Sequence, residues 1–200
     1  IIQYTDPEDK LLTELRRDTY LHVLNPRMLS GPLQGKILGF LARMINAREI
    51  LEIGTYTGYA TLCLARSLPE KGRIDTIELN DELVDRASKY FQKAGLQEKI
   101  KVHTGNALNI LPKLNTSYDL VFIDGDKREY TGYYREVFPL LRKGGYIIAD
   151  NTLWDGKVLD EDPDEFTQGI QEFNHTIAHD KRVEKIILPI RDGLSVIRKK

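Results

Sequence analysis

The stretch EILEIGTYTGYATLCLARSL, residues 49–68, decides the fold. EILEI (49–53) has the length and apolar content of a short buried strand, and GYATLCLARSL (58–68) favours a helix. Gly54 and Gly58 lie in the turn between them, where glycine lets the backbone approach a ligand closely. Their spacing does not match the dinucleotide fingerprint G-x-G-x-x-G, and the G-K-S/T of a phosphate loop is missing. The pattern fits either a plain strand-to-helix turn or one that meets a ligand without a pyrophosphate.

After this unit the chain alternates between predicted strands and helices. We expect further strands at residues 72–79, 99–105, 118–124 and 145–151, and helices at 81–95, 128–144 and 165–180. This alternation predicts an α/β fold with a mostly parallel sheet covered by helices on both faces. The last strands, 183–190 and 193–199, are joined only by Arg191-Asp192-Gly193, which predicts an antiparallel hairpin. In such sheets ligands bind beyond the carboxyl ends of the strands.

The composition is that of one soluble domain over residues 1–200. This length suffices for a single core, and the formal net charge of −1 gives no basic footprint for nucleic acid or anionic lipid. Cys63 is the single cysteine, and the N-terminus lacks the basic-then-apolar order of a signal peptide, so we expect a cytoplasmic protein. No apolar run approaches the ~20 residues that span a membrane. Residues 1–46 read as helical, with a second helix at about 32–44, and precede an α/β core at 48–200.

Two acidic residues near the first strands favour a nucleoside ligand. Glu52 lies just before the glycine turn, where a carboxylate would repel a pyrophosphate and attract an ammonium group. Glu78 ends the second strand, near the spacing at which an acid accepts hydrogen bonds from ribose hydroxyls. Alone, Glu78 fits a surface residue better, but with the glycine turn it favours a nucleoside without phosphates, such as S-adenosylmethionine. The turn Gly105-Asn106-Ala107 fits a plain loop or a contact with adenine equally well.

Polar residues also end two later strands. Asp124 closes strand 118–124, and Asp150 and Asn151 close strand 145–151. If these strands are neighbours, their axes lie ~4.8 Å apart, and two carboxylates with an amide oxygen form a hard donor set suited to Mg²⁺. Either aspartate alone fits a capping residue better, whereas the pair favours a metal site. Lys127 begins the next helix, where its ammonium either helps a bound hydroxyl to ionise or lies exposed.

Two other features are less informative. Trp154 follows the metal candidates and either forms the wall of a pocket for a planar substrate or packs the loop. His175 and His179 have a spacing that can bind zinc on a helix, but the sequence offers no evident third ligand. We therefore do not expect a zinc site.

Seven segments of the chain resemble one known family. They are MLSGPLQG (28–35), EIGTYTGYA (52–60), the strand end at Glu78, GNAL (105–108), DGDKREY (124–130), DNTLW (150–154) and LPIRDGL (188–194). In this order and spacing they resemble the small cation-dependent O-methyltransferases, which include the catechol and caffeoyl-CoA O-methyltransferases. The resemblance spans nearly the whole chain. It implies the Rossmann-like class I fold of S-adenosylmethionine-dependent methyltransferases, with seven strands and an antiparallel C-terminal hairpin.

The resemblance also implies roles for single residues. The methionine part of S-adenosylmethionine is expected to contact Ser30, Glu52, Gly54, Thr55, Tyr56, Gly58 and Ala60. Glu78 is expected to hold the ribose, and Ala107 and Asp126 to lie around the adenine, with Asp124 also beside the cofactor. Asp124, Asp150 and Asn151 match the metal ligands, and Lys127 matches the proposed base. Lys127, Trp154 and Asp155 are expected to face the substrate. Ala60 replaces a serine common in the family, so one cofactor hydrogen bond is expected to be absent.

The reaction implied by the resemblance is methyl transfer to one hydroxyl of a catechol-like small molecule, with Mg²⁺ or another hard divalent cation. Two alternatives stay open. A hydroxylated uridine of transfer RNA would use the same chemistry, although the near-zero net charge disfavours it. The second alternative is a protein that binds S-adenosylmethionine without catalysing a reaction. Residues 1–46 are expected to form a lid and a homodimer surface, since relatives commonly pair.

Overall fold

The computed structural model describes residues 2–200, and its sheet confirms the predicted architecture. The sheet has seven strands: β1 (Glu49–Ile53), β2 (Arg73–Glu78), β3 (Ile100–Thr104), β4 (Tyr118–Ile123), β5 (Leu141–Asp150), β6 (Val183–Leu188) and β7 (Leu194–Lys199). Their order is β3-β2-β1-β4-β5-β7-β6. The neighbours from β3 to β5 pair in parallel, and β7 is antiparallel to both β5 and β6. The fold is therefore the expected mostly parallel sheet with an antiparallel C-terminal hairpin.

Helices cover both faces of this sheet. They are α1 (Lys10–His22), α2 (Gly31–Met44), α3 (Tyr59–Ser67), α4 (Asp81–Lys93), α5 (Ala107–Ile110), α6 (Tyr130–Leu140) and α7 (Glu165–His179). Successive strand side chains point to opposite faces, so Ile50 packs with α1 to α4 while Leu51 packs with α5 to α7. Leu15 of α1 and Leu38 of α2 are fully buried in the first of these clusters. The two N-terminal helices thus share the core of the α/β unit, while their roles as lid and dimer surface stay predictions.

The boundary between α6 and β5 differs from the expectation. The helix was predicted to run to residue 144, but it ends at Leu140, directly after Pro139, and the strand begins at Leu141. Leu141 is buried and pairs with Tyr118, and the register between β4 and β5 shifts before Leu120. The positive φ of Gly144 accommodates this irregularity. The strand therefore starts earlier than its apolar run indicates. At its other end Asn151 lies outside the strand, with a φ of 57°.

The carboxyl ends of β1 and β4 meet at the point where the strand order reverses. Asp124 N donates to Ile53 O at 2.8 Å, which places the end of β4 against the glycine turn. Gly54 has a φ of 98°, and a Cβ at this position would lie 2.2 Å from Asp124 O. Only glycine fits this contact, because other residues strain at positive φ and would clash with the backbone. Gly54 therefore allows β1 and β4 to end side by side.

None of the helices between residues 2 and 200 is long and apolar enough to cross a membrane.

Replacing Gly54 tests this packing. We expect Gly54→Ala to lower the free energy of unfolding by roughly 3 kcal/mol or more, since backbone strain and a backbone clash add. Gly95→Ala is the matched control: its φ is +66°, but nothing lies within 4 Å of the added Cβ. Gly95→Ala should lower the free energy of unfolding by only about 1–2 kcal/mol. Urea unfolding measures both values, and equal losses would contradict the close approach at Gly54.

Candidate active site

Glu52 lies beneath the glycine turn and is completely buried. Its Oε2 accepts hydrogen bonds from the hydroxyls of Thr61 at 2.5 Å and Thr76 at 2.6 Å. Its Oε1 has no hydrogen-bond partner within the described residues. Burial raises the pKa of Glu52 to about 8. A buried carboxylate oxygen without a donor fits a ligand group that brings its own N–H.

Glu78 and Tyr56 join the glycine turn to its surroundings. Glu78 Oε2 accepts from Tyr56 N at 2.7 Å, and its Oε1 accepts from Asn80 N at 3.0 Å. Tyr56 has a φ of 51°, and its hydroxyl donates to Leu24 O at 3.1 Å. The segment after α1 is thereby tied to the turn. Glu78 keeps further acceptor capacity, because each carboxylate oxygen accepts about two hydrogen bonds.

The other residues expected around the cofactor lie in α2, α3 and the loops that follow the strands. Ser30 is buried directly before α2, and Ala60 is buried in the first turn of α3. Ala107 is buried at the start of α5, after the end of β3. Asp126 follows β4 and accepts from Arg128, whose guanidinium lowers the pKa of that carboxyl. The cofactor roles of these residues stay predictions.

Asp124 and Asp150 come together because β4 and β5 are neighbours. Ile123 is in register with Ala149, so each aspartate follows at the same edge of the sheet. Burial raises the pKa of Asp124 to about 6; the Lys127 ammonium opposes this shift and the Asp150 charge adds to it. Asp150 is 4% exposed. The Asp124 side chain is 18% exposed, so one buried and one partly buried carboxylate of like charge lie at one place, which favours a bound cation.

Asn151 supplies the third oxygen of the predicted set. Its Nδ2 donates to Asp192 Oδ2 at 3.1 Å, which leaves the amide oxygen as a free acceptor. Asp192 Oδ1 also accepts from Asp155 N at 2.5 Å. Residues 2–200 contain no group of three or more His, Cys, Asp or Glu side chains that could hold a metal ion. Any cation here therefore depends on the amide oxygen of Asn151 in addition to Asp124 and Asp150.

Lys127 is buried, which excludes an exposed lysine, while its role toward a bound hydroxyl stays a prediction. Only 9% of it is exposed, and its Nζ donates to Asp124 Oδ1 at 2.8 Å and to the Tyr130 hydroxyl at 2.7 Å. The Tyr130 hydroxyl in turn donates to Asp150 O at 3.1 Å. Burial keeps the pKa of Tyr130 well above its usual value, so this hydroxyl stays protonated. The ammonium is thus fixed beside the candidate metal ligands.

Trp154 and Asp155 form the turn that follows these ligands. Both have positive φ values, 48° and 52°. Trp154 Nε1 donates to Thr167 Oγ1 at 3.1 Å, which ties the half-buried indole to α7. Asp155 is exposed. Their expected contact with a substrate stays a prediction.

Four residues gained a structural role that the sequence analysis did not assign: Gln34, Tyr130, Arg191 and Asp192. All lie within the segments that carry the family resemblance. Tyr130 follows Lys127 by three residues, a helical spacing that places two side chains on one face. Gln34 precedes the buried Leu38 by four residues, a spacing that places both side chains on one face of α2 and was the available signal for its burial. The contacts of Arg191 and Asp192 had no local signal.

Comparison with known proteins identifies the family. The family model described as O-methyltransferase matches residues 3–200. A catechol O-methyltransferase from Niastella koreensis is 40% identical over 168 residues, which cover 82% of this chain and 76% of that protein. A caffeoyl-CoA O-methyltransferase from Medicago sativa is 34% identical over 206 residues, covering 96% of this chain and 83% of that protein.

Solved structures agree with this assignment. TomG of Streptomyces achromogenes, an O-methyltransferase solved with S-adenosylmethionine, has a TM-score of 0.93 and 31% identity, covering 99% of this chain and 93% of that one. An O-methyltransferase from Bacillus cereus, solved with S-adenosylhomocysteine, has a TM-score of 0.93 and 34% identity, covering 99% and 94%.

The fold and the glycine turn at its switch point define a class I methyltransferase. With the matches above, the chain belongs to the O-methyltransferase family. The resemblance read from the sequence, to the catechol and caffeoyl-CoA type, is confirmed.

The buried Glu52 predicts a pH dependence of stability. Its folded-state pKa of about 8 lies above the ordinary value of 4.5, so the folded state keeps a proton that the unfolded state releases. The stabilisation that this proton gives the folded state is complete below about pH 4.5 and is lost as pH rises towards 8. Relative to Glu52→Gln, the unfolding free energy of the ligand-free wild type should fall by about 1.4 kcal/mol per pH unit in this window.

Chemical unfolding at several pH values measures this difference. The exposed Glu98 provides the control, because Glu98→Gln should follow the wild-type curve. Parallel curves for wild type and Glu52→Gln between pH 5 and pH 7.5 would show that Glu52 holds no extra proton.

Proposed function

We propose that this O-methyltransferase transfers the methyl group of S-adenosylmethionine to one hydroxyl of a catechol-like small molecule, with Mg²⁺ or another hard divalent cation. The observation that carries the proposal is the convergence of Asp124 and Asn151 with the buried Asp150 and Lys127 at the ends of β4 and β5. The two solved relatives that hold S-adenosylmethionine or S-adenosylhomocysteine support the methyl donor.

The residues at this place fit a hard cation. Asp124 and Asp150 carry two negative charges, and Lys127 is the one basic side chain between residues 2 and 200 that forms an ion pair with either of them. Asp192 orients the Asn151 amide so that its oxygen completes an all-oxygen set. Such donors suit Mg²⁺, which binds carboxylates and keeps positions for water and substrate. When bound, the cation supplies a Lewis acid that lowers the pKa of a substrate hydroxyl.

The residues on the β1 and β2 side fit the methyl donor. The unpartnered Glu52 Oε1 would accept a hydrogen bond from the ammonium of the methionine part. Glu78 would accept from the ribose, and the glycine turn allows the backbone to come close to the ligand. Because Gly54 packs against Asp124, both groups of residues hold their ligands next to each other.

Lys127 would assist the deprotonation of the reacting hydroxyl. Its Nζ contacts Asp124 and the Tyr130 hydroxyl, which supports a place beside a hydroxyl held by the cation. Its neutral amine form would take up the hydroxyl proton, whereas its ammonium form would stabilise the oxyanion, as the oxygen–methyl bond forms and the methyl–sulfur bond breaks. Trp154 would form one wall for the planar ring.

The charge of the loop after the metal site favours a small substrate over RNA. Its acidic residues are Asp155, Asp160, Glu161, Asp162, Asp164 and Glu165, against one basic residue, Lys157. Such a loop repels the phosphates of transfer RNA and of coenzyme A. The relative named catechol O-methyltransferase, at 40% identity, supports a free catechol. The transfer RNA alternative keeps the same chemistry but would bring phosphates close to this acidic loop.

A substrate comparison tests this assignment. Methyl transfer from labelled S-adenosylmethionine should be fastest with free catechols, slower with caffeoyl-CoA and undetectable with hydroxylated or unmodified transfer RNA. Faster methylation of hydroxylated RNA than of every catechol would overturn the substrate class. Absence of turnover with all of these compounds would favour the non-catalytic alternative.

Asp150→Asn tests the metal. We expect kcat/KM with catechol to fall at least ~100-fold at fixed Mg²⁺, since a Lewis acid supplies several kcal/mol of transition-state stabilisation. Calorimetry should show unchanged S-adenosylhomocysteine binding, because Asp150 lies on the metal side. The exposed Asp162 provides the control variant, Asp162→Asn, which should keep wild-type activity. Full activity of the wild type or of Asp150→Asn in EDTA would contradict the metal.

A further inference from the structure

Gln34 forms a buried bridge between Asp150 and Arg191. It is 1% exposed on the inner face of α2. Its Nε2 donates to Asp150 Oδ2 at 2.6 Å, and its Oε1 accepts from Arg191 Nη1 at 2.8 Å. Both ends of the amide are therefore used, and each end contacts a charged group.

We propose that Gln34, held in place by Arg191, is a positioning residue that orients the Asp150 carboxylate for a divalent cation. This inference rests on the proposed function, because it assigns a role toward the metal that the proposed function requires. Gln34 touches neither the substrate nor the reacting atoms, so it acts only through Asp150.

The contacts of Asp150 show how the orientation is fixed. Oδ1 accepts from Asn151 N at 2.8 Å and Oδ2 accepts from Gln34 at 2.6 Å. One donor on each oxygen fixes the plane of the carboxylate. Each oxygen retains a further lone pair for a cation. Without Gln34, the carboxylate would keep a donor on Oδ1 alone and could rotate away.

An amide suits this role better than a cationic side chain. A guanidinium in direct contact with Asp150 would form an ion pair and compete with the metal for the same charge. The neutral amide orients the carboxylate and leaves its charge uncompensated. Arg191 contacts the other end of the amide, which polarises it and strengthens its donation to Asp150.

Arg191 is itself held rigidly at the turn between β6 and β7. Its Nη1 also donates to the carbonyl oxygens of Ser30 and Leu29, at the start of α2. The next residue, Asp192, orients the Asn151 amide. One short turn thus fixes two of the three candidate metal donors, one directly and one through Gln34. Because Ser30 is also a predicted cofactor contact, the same turn joins the metal side to the cofactor side.

A double-mutant cycle on Mn²⁺ affinity tests the proposal. Mn²⁺ dissociation constants are measured by electron paramagnetic resonance, with saturating S-adenosylhomocysteine, for wild type, Gln34→Met, Arg191→Met and the double variant. Methionine has about the volume of glutamine but cannot form the hydrogen bonds that join Asp150 to Arg191. Loss of an outer ligand partner typically weakens metal affinity about 10–100-fold, which is the expectation for Gln34→Met. Arg191→Met should weaken it by about 3–10-fold, and the double variant should match Gln34→Met.

The matched control is Gln168→Met on α7. Gln168 Nε2 also donates to a carboxylate, that of Glu172 at 3.2 Å, but on the exposed surface. This variant should bind Mn²⁺ like the wild type. Thermal unfolding of the metal-free proteins separates a loss of stability from a loss of metal affinity.

Three results would overturn the proposal. The first is Mn²⁺ affinity within twofold of wild type in folded Gln34→Met. The second is an effect of Arg191→Met that persists unchanged when Gln34 is already Met, since Arg191 would then act independently. If Gln34→Met does not fold, Arg191→Met, at an exposed turn, still tests the proposal. The third contradicting result is an unchanged Mn²⁺ affinity in Arg191→Met. A wild-type protein that binds no Mn²⁺ would instead overturn the metal of the proposed function, and this inference with it.

Discussion

Two carboxylates of like charge, one buried and one partly buried, stand side by side where β4 and β5 end, and most of the site depends on that juxtaposition. The register of the two strands places Asp124 and Asp150 at the same edge of the sheet. Burial and the neighbouring Asp150 charge both raise the pKa of Asp124, to about 6, against the effect of Lys127. The surrounding contacts hold these groups in place and compensate only one of the two charges: Gln34 and the Asn151 N–H contact Asp150, and the Lys127 ammonium pairs with Asp124.

The other side of the site follows a different electrostatic principle. Glu52 on β1 is buried with two threonine hydroxyls on one oxygen and no partner on the other, and its pKa of about 8 keeps it protonated at neutral pH in the ligand-free protein. Because the protonated carboxyl of Glu52 is neutral, it repels the Asp124 carboxylate only weakly. Gly54 brings the two sides into contact, because it lets the backbone of β1 pass directly over Asp124 O. The geometry suits a reaction whose two reactants are held by separate but adjacent groups.

Much of the fold could be predicted from the sequence because its signals are local. Alternating apolar runs and helical patterns indicated the parallel sheet, and the three-residue connection before residue 194 indicated the hairpin. The positions of Asp124 and Asp150 at strand ends depended on β4 and β5 being neighbours, which the sheet order confirms. The end of α6 was wrong by four residues, since Leu141 takes its burial from Tyr118 of β4 and not from its own helix.

What the sequence could not indicate are contacts between distant segments. Gln34 lies 116 residues from Asp150 and 157 from Arg191, and their meeting depends on how α2 and the β6–β7 turn pack together. The contacts of Lys127 with Asp124 and Tyr130 are local, but the position of these side chains beside Asp150 depends on the pairing of β4 with β5. These long-range contacts set the orientation of the donors, whereas the local pattern set only their identity.

Crystallography with Mn²⁺ and S-adenosylhomocysteine tests the central claim most directly. Anomalous scattering locates Mn²⁺ without assumptions about the surrounding density. We expect one strong peak in direct coordination with oxygens of Asp124, Asp150 and Asn151. A peak elsewhere, or none in crystals of protein that is active with Mn²⁺, would contradict it.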